Sequence, residues 1–218
     1  MDVLDGLVAR ARSLAADPGQ RVLIGIAGAP GAGKSTLAAA LVARLGGFPR
    51  AVQVPMDGFH LADAELGRLA RTERKGAPDT FDPDGYAALL ARLRGQRLRT
   101  VWAPGFERTL EQPIAQAIAI VPETDFVVSE GNYLLLPDLP WQQVRAHFDE
   151  VWFCAEDDAL RLRRLIARHV EFGKSPEAAR EWVQRSDERN AELVAATREF
   201  ADHVVDLRNV ELRDVDPA

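Results

Sequence analysis

Gly28, Ala29, Pro30, Gly31, Ala32, Gly33, Lys34 and Ser35 fit the eight-residue pattern G-x-x-x-x-G-K-[ST], and Thr36 follows them. Each residue type has a chemical reason to be there. Glycines let several backbone N–H groups converge on phosphate oxygens, and a helix that starts at the end of the loop adds the positive end of its dipole. A lysine at the seventh position reaches the β- and γ-phosphates, and the hydroxyl that follows can ligate Mg²⁺. The pattern therefore predicts a nucleoside triphosphate cradle over Gly28–Thr36. Lys34 is expected to project into an open, solvated phosphate site. Two acids stand at comparable points. Asp57 ends the apolar run Ala51–Met56, and Glu130 ends Phe126–Ser129. An acid beside a γ-phosphate can take the proton of an attacking hydroxyl. Asp57 equally suits a turn aspartate capping its own loop or a water-mediated Mg²⁺ contact. Glu130 suits a metal-holding or substrate-orienting acid, or a surface residue. Gly131 after it permits close approach of a ligand or backbone. A third group is basic: Arg161, Arg164 and Arg168 fall on one side of a helix. They could clamp a transferring phosphoryl group from a mobile lid or form an ordinary solvated face.

These groups need elements to position them. Val22–Ala27 is a short apolar run that reads as a buried strand, and Leu37–Leu45 reads as the helix after the loop. An amphipathic helix is predicted at the N-terminus over 2–17, ended by Pro18-Gly19. Further strands are predicted at Ala51–Met56, Thr100–Trp102, Ala117–Val121, Phe126–Ser129, Val151–Ala155 and His203–Leu207. Helices are predicted at Pro83–Arg94 with Asp82 as its cap, at Asp157–Val170, and from a Ser175 cap towards Thr197. Gly58–Thr80 is a long polar connection with a short helix at Asp63–Ala70, and long connections are often functional. Strands alternating with helices predict an α/β protein, an open and mainly parallel sheet with helices on both faces. Ligands in such sheets bind beyond the carboxyl ends of the strands. The phosphate loop, Asp57 and Glu130 should then open onto one crevice.

The whole-chain balance narrows the partners. The chain has 218 residues, 47% hydrophobic and 28% charged, with a net charge of −6. That length suits one good core. The negative charge disfavours nucleic acid as the main partner. The four histidines show no metal-ligand spacing. One cysteine, Cys154, lies within an apolar run and reads as a buried thiol. No apolar run approaches membrane-spanning length. A cytoplasmic protein without a membrane partner is the expectation. The apolar helix faces are compatible with either a core or a homodimer contact.

Four segments together resemble the superfamily of uridine kinase, phosphoribulokinase and bacterial pantothenate kinase: Gly28–Thr36, Met56–His60, Arg74–Asp82 and Ser129–Tyr133. The likeness is to its fructokinase-like and nucleoside/nucleotide kinase-like bacterial members. The motifs run in family order from about Arg21 to Leu207. The resemblance implies a three-layer α/β/α P-loop fold, one domain over 1–218, and a small helical lid at about 161–176. It implies ATP and Mg²⁺, with Lys34 on the triphosphate, Ser35 and Glu130 at the metal, and Asp57 as catalytic base. Arg164 and Arg168 would be lid arginines. His60, Arg74, Lys75, Asp82, Arg108, Glu130 and Asn190 would face the acceptor. Gly58-Phe59-His60 departs from the hydroxyl-plus-aromatic pair usual after the base in uridine kinases. The implied activity is γ-phosphoryl transfer from ATP to a hydroxyl of a sugar, nucleoside or pantothenate-like metabolite. The alternative is a P-loop ATPase or a nucleotide-gated module without a small-molecule acceptor. No guanine-binding Asn-Lys-x-Asp occurs, and the Glu130 strand lacks the Asp-Glu pair of AAA-type motors. A purely structural protein leaves Asp57 and the arginines unexplained.

Overall fold

The computed structural model describes residues 2–15 and 19–209. Within them, strands β1 (Val22–Ala27), β2 (Ala51–Pro55), β5 (Phe126–Gly131), β6 (Glu150–Ala155) and β7 (His203–Asp206) form one five-stranded parallel sheet in the order β2-β5-β1-β6-β7. Strands β3 (Val101–Glu107) and β4 (Gln112–Ile120) pair antiparallel in a separate two-stranded sheet. The helices are α1 (Val3–Ser13), α2 (Lys34–Arg44), α3 (Asp63–Arg68), α4 (Pro83–Gly95), α5 (Leu139–Arg145), α6 (Asp158–Glu171), α7 (Pro176–Trp182) and α8 (Glu188–Ala195).

The strands are apolar on both faces because both faces are covered, as a parallel sheet requires. Val22, Ile24 and Ile26 of β1 pack with Leu4, Leu7 and Ala11 of α1 and Leu37 and Leu41 of α2. Leu23 and Ala27 turn the other way, into a second core with Tyr86, Leu90 and Leu93 of α4 and Trp141 and Val144 of α5. β6 divides likewise, Trp152 and Cys154 on the first side and Val151 and Phe153 on the second. Arg21, 1% exposed, enters just before β1 and donates to the carbonyls of Leu93, Gln96, Val121 and Thr124. The guanidinium thus caps the negative end of α4 while fastening it to the sheet.

Several elements differ from the sequence expectation. The strands expected at Thr100–Trp102 and Ala117–Val121 are longer, and they leave the parallel sheet as a hairpin. A register shift between Ala103 and Gly105 bends it, and Pro104, which brings no N–H to the ladder, lies in that stretch. Helix α5 gives no sequence signal, being short and opened by Leu139-Pro140. The helix expected from Ser175 to Thr197 is broken by a π-helical turn, Val183–Asp187, between α7 and α8. Helix α1 stops at Ser13 with Leu14 as its cap. Its predicted end at residue 17, and the Pro18 stop, lie outside the described residues. Asp82 caps α4 as expected, accepting from Gly85 N at 2.9 Å.

Candidate active site

The carboxyl ends of β1, β5 and β2 are adjacent, and each delivers its group there. The phosphate loop leaves β1, Glu130 lies in β5, and Asp57 follows β2 in a 3₁₀ turn over Met56–Phe59. The loop's glycines are required sterically. Gly31 and Gly33 have φ of +78° and +85°, and Gly33 is the N-terminal cap of α2. A Cβ at Gly31 would lie 2.7 Å from Leu165 Cγ, one at Gly28 2.9 Å from the Cys154 carbonyl, and one at Gly33 2.9 Å from Leu207 Cδ1. The cradle is thus wedged between β6, α6 and the segment after β7.

Lys34 is buried rather than projecting into solvent, only 8% exposed. Its Nζ donates to Ala29 O at 3.0 Å and Asn132 Oδ1 at 2.8 Å. Burial pulls its pKa down, opposed by the charges of Glu130 and Asp57. Asn132 is a site residue the sequence reading missed. It stands two positions after Glu130, and only tertiary proximity to Lys34 reveals it.

Ser35 Oγ donates to Glu130 Oε1 at 3.1 Å. Glu130 is 6% exposed, and burial, then the nearby Asp57 charge, raise its pKa; Lys34, the Ser35 hydrogen bond and Arg108 act the other way. A buried carboxylate in contact with a hydroxyl, with a second carboxylate close by, is the donor chemistry a hard divalent cation uses. Among the described residues no cluster of three or more His, Cys, Asp or Glu is placed to hold a metal. A cation here would complete its shell with phosphate oxygens and water, as Mg²⁺ does.

The Asp57 carboxylate is one-third exposed and makes no hydrogen bond among the described residues. His60 Nδ1 lies 3.9 Å from it and bonds the Asp57 backbone carbonyl at 3.0 Å instead. The His60 ring otherwise packs at a tilt against Phe81, centroids 3.9 Å apart and planes 41° apart, and leans on Phe106. Gly58 explains the departure after Asp57: a Cβ there would sit 2.6 Å from Pro104 O, so glycine admits β3 against the turn. Gly131 serves a similar end, its face filled by the Met56 side chain.

The three arginines of α6 divide. Arg161 is buried and committed, with Nε 3.0 Å from Asp158, Nη2 2.6 Å from Glu188, and Nη1 on Pro30 O at 3.4 Å. It fastens α6 to the phosphate loop and to α8, and Leu165 is wholly buried against Gly31. Arg164 is half exposed, pairs with Glu156 at 2.7 Å, and has Nη1 3.8 Å from the position of a Gly33 Cβ. Arg168 is close enough for its charge to depress the Lys34 pKa. Burial pushes the Cys154 thiol up to about 12, which excludes it as a nucleophile at neutral pH.

On the acceptor side, Arg74 pairs with Asp79 and Lys75 with Asp63. Asp82, expected to face the acceptor, is engaged as the α4 cap. Asn190, also expected there, is 8% exposed and donates to Gly76 O at 3.3 Å, a carbonyl that the Tyr133 hydroxyl also binds. These two side chains pin the loop that carries Arg74 and Lys75. Arg108 follows β3, exposed, on the hairpin that meets Gly58.

No protein-family model matches the chain. A Schizosaccharomyces pombe protein provisionally named a uridine kinase is 34% identical over 80% of this chain and 78% of its own. An ATP-dependent kinase-like protein of Aspergillus versicolor is 36% identical over 66% of this chain and 88% of its own. A crystal structure from Silicibacter sp. TM1040, provisionally named a fructose transport system kinase, is 36% identical with a TM-score of 0.80, covering 93% of this chain and 98% of that one. Fold, cradle and relatives together define a P-loop kinase. The chain belongs to the superfamily that includes uridine kinases and bacterial pantothenate kinases.

Proposed function

We propose that the protein transfers the γ-phosphoryl group of ATP to a hydroxyl of a small metabolite, with Asp57 as the base. The observation that carries this reading is the uncommitted Asp57 carboxylate beside the Lys34, Ser35 and Glu130 cluster. Asp57 accepts the proton as the acceptor oxygen attacks the γ-phosphorus, and the β–γ bridging oxygen leaves with ADP. Lys34, held by Asn132 and Ala29, places a positive charge where the phosphates accumulate negative charge. Arg164 and Arg168 add planar donors from α6; of the segment about 161–176 expected to act as a lid, Arg161 and Leu165 anchor the start to the phosphate loop, and the part beyond them closes and excludes water. Ser35 and Glu130 would hold Mg²⁺, which supplies charge neutralisation across the phosphates. The relatives' names differ in acceptor, so uridine and fructose enter as members of a panel and not as conclusions.

A coupled ADP-release assay with and without hydroxyl metabolites tests the proposal. Release that depends on one acceptor, with a phosphomonoester formed in equal amount, is the expected result. Equal release in every well, with only inorganic phosphate formed, would replace it with the ATPase reading.

A further inference from the structure

Glu156 is a buried acid with no part in the transfer itself. It is the first residue after β6, and its side chain is 3% exposed. Each carboxylate oxygen has one partner. Oε1 accepts from Asp157 N at 2.9 Å, and Oε2 accepts from Arg164 Nη1 at 2.7 Å. Helix α6 does not need Glu156 as a cap, because Asp157 already accepts from Leu160 N at 2.9 Å. The other carboxylates nearby are engaged, Asp158 by Arg161 and Asp206 by Arg208. What is left to Glu156 is to hold Arg164.

Arg164 needs holding. It is half exposed, and a long side chain in such a place spreads over many rotamers. Its helix cannot place it by moving, since Arg161 and Leu165 on either side are fixed against Pro30 O and Gly31. Only the side chain's own torsions are open, and the ion pair closes them. β6 delivers Glu156 to the right spot. The Cys154 carbonyl lies 2.9 Å from the position of a Gly28 Cβ, so the strand ends against the phosphate loop. The pair then sets Arg164 Nη1 3.8 Å from the position of a Gly33 Cβ, at the N-terminal cap of α2. Arg164 Nε and Nη2 make no hydrogen bond among the described residues, so one arm of the fork is anchored and the rest is left for a ligand. If Arg164 swung away, a buried carboxylate would be stranded, which costs far more than breaking an exposed pair.

Resting on the kinase reading above, we propose that Glu156 is a positioning residue that presets Arg164 over the phosphate loop before nucleotide arrives. Arg164 is then a fixed donor to the transferring phosphoryl group. A donor already in place needs no reorganisation at the moment of transfer.

The test is a double-mutant cycle of Glu156→Gln and Arg164→Ala, read in kcat per folded enzyme and in denaturant unfolding. Glutamine keeps the shape and removes the charge. Glu156→Gln should lower kcat about 10-fold or more, the size of a charge-assisted hydrogen bond. Affinity for a non-hydrolysable ATP analogue should stay within about threefold, since the contact matters most in the transition state. In the Arg164→Ala background the same change should leave kcat where it is and raise the unfolding midpoint, because it removes an unpaired buried charge. Two results would overturn the proposal: a Glu156→Gln kcat within about threefold of wild type, or the same fall in kcat with and without Arg164. Glu156→Asp keeps the charge one methylene short of its partner and carries the test if glutamine does not fold. It should lower kcat in folded protein, and a wild-type kcat there would also overturn the proposal. The cycle is separable from the kinase reading because it follows whichever product forms. If ATP goes to water with every acceptor, the kinase reading fails, and the coupling of Glu156 to Arg164 in that turnover still decides the role of Glu156.

Discussion

Asp57→Asn separates chemistry from architecture more cleanly than any other change in the crevice. The carboxylate is one-third exposed, and His60 Nδ1 lies 3.9 Å from it. It caps no helix and accepts no hydrogen bond among the described residues. Asparagine keeps its size, so folding stability should change by no more than about 0.5 kcal/mol. The loss of a charge that raises the Glu130 pKa acts, if anything, in the stabilising direction. A positioned general base contributes about 10²–10⁴-fold. At ~1.36 kcal/mol per tenfold this is a barrier increase of about 2.7–5.4 kcal/mol. The assay is kcat at saturating ATP and acceptor, beside thermal unfolding and titration of a non-hydrolysable ATP analogue. A kcat depressed within that range, with melting temperature and nucleotide affinity preserved, is expected. A kcat within about threefold of wild type, well short of a general base's contribution, would leave Asp57 a turn residue and refute the reasoning.

Lys34→Met should abolish ATP turnover while circular dichroism stays that of the folded protein, because methionine fills the buried stem and removes the charge with its two hydrogen bonds, to Ala29 O and Asn132 Oδ1; normal turnover would contradict the role of Lys34. Arg161→Ala and Arg164→Ala should part company in turnover. The first loses contacts to Asp158, Glu188 and Pro30 O and should cost about 1–3 kcal/mol in denaturant unfolding. The second unpairs Glu156, whose side chain is 3% exposed, and should also cost about 1–3 kcal/mol, yet it should depress turnover with acceptor in protein that is still folded; turnover lost only in the Arg161 variant would make Arg161 the functional arginine. Glu130 gives a pH signature. Its folded pKa is raised, so above the ordinary carboxylate range the native state binds more protons than the unfolded state, and stability falls as pH rises through that window. Glu130→Gln should flatten this slope in melting curves and lose turnover. An unchanged slope would show that burial does not govern Glu130.

The phosphate loop was legible because the pattern fixes Gly28, Gly33, Lys34 and Ser35 at set spacings between a strand and a helix, and Gly31 and Gly33 take up the positive φ the loop needs. The parallel strands were legible because burial on both faces writes them as unbroken apolar runs. The hairpin was half-hidden for the opposite reason. Trp102 is 52% exposed and Ile114 40% exposed, so apolar side chains stand on the open face of the hairpin too, and the residue types do not alternate although burial along β3 does. Asn132 and the committed role of Arg161 depend on partners 98 and 131 residues away in the chain, which no local spacing records. The π turn escaped notice because its residues are ordinary helix residues. Asp187, drawn inward, meets His169 Nε2 at 2.8 Å on α6, a tertiary contact made where the regular α-helical spacing gives way. Asp82 and Asn190, expected to face the acceptor, are engaged within the protein, Asp82 as the cap of α4 and Asn190 as a donor to Gly76 O.

The central claim is that phosphate goes to a hydroxyl and not to water. The measurement that tests it most directly is ATP turnover in heavy-oxygen water with the Mg²⁺-loaded enzyme and the acceptor panel, followed by mass spectrometry of all phosphorylated products. The account predicts a phosphomonoester of one panel member carrying no solvent oxygen, formed mole for mole with ADP. Inorganic phosphate labelled from solvent as the sole product, at a rate no acceptor alters, would contradict it.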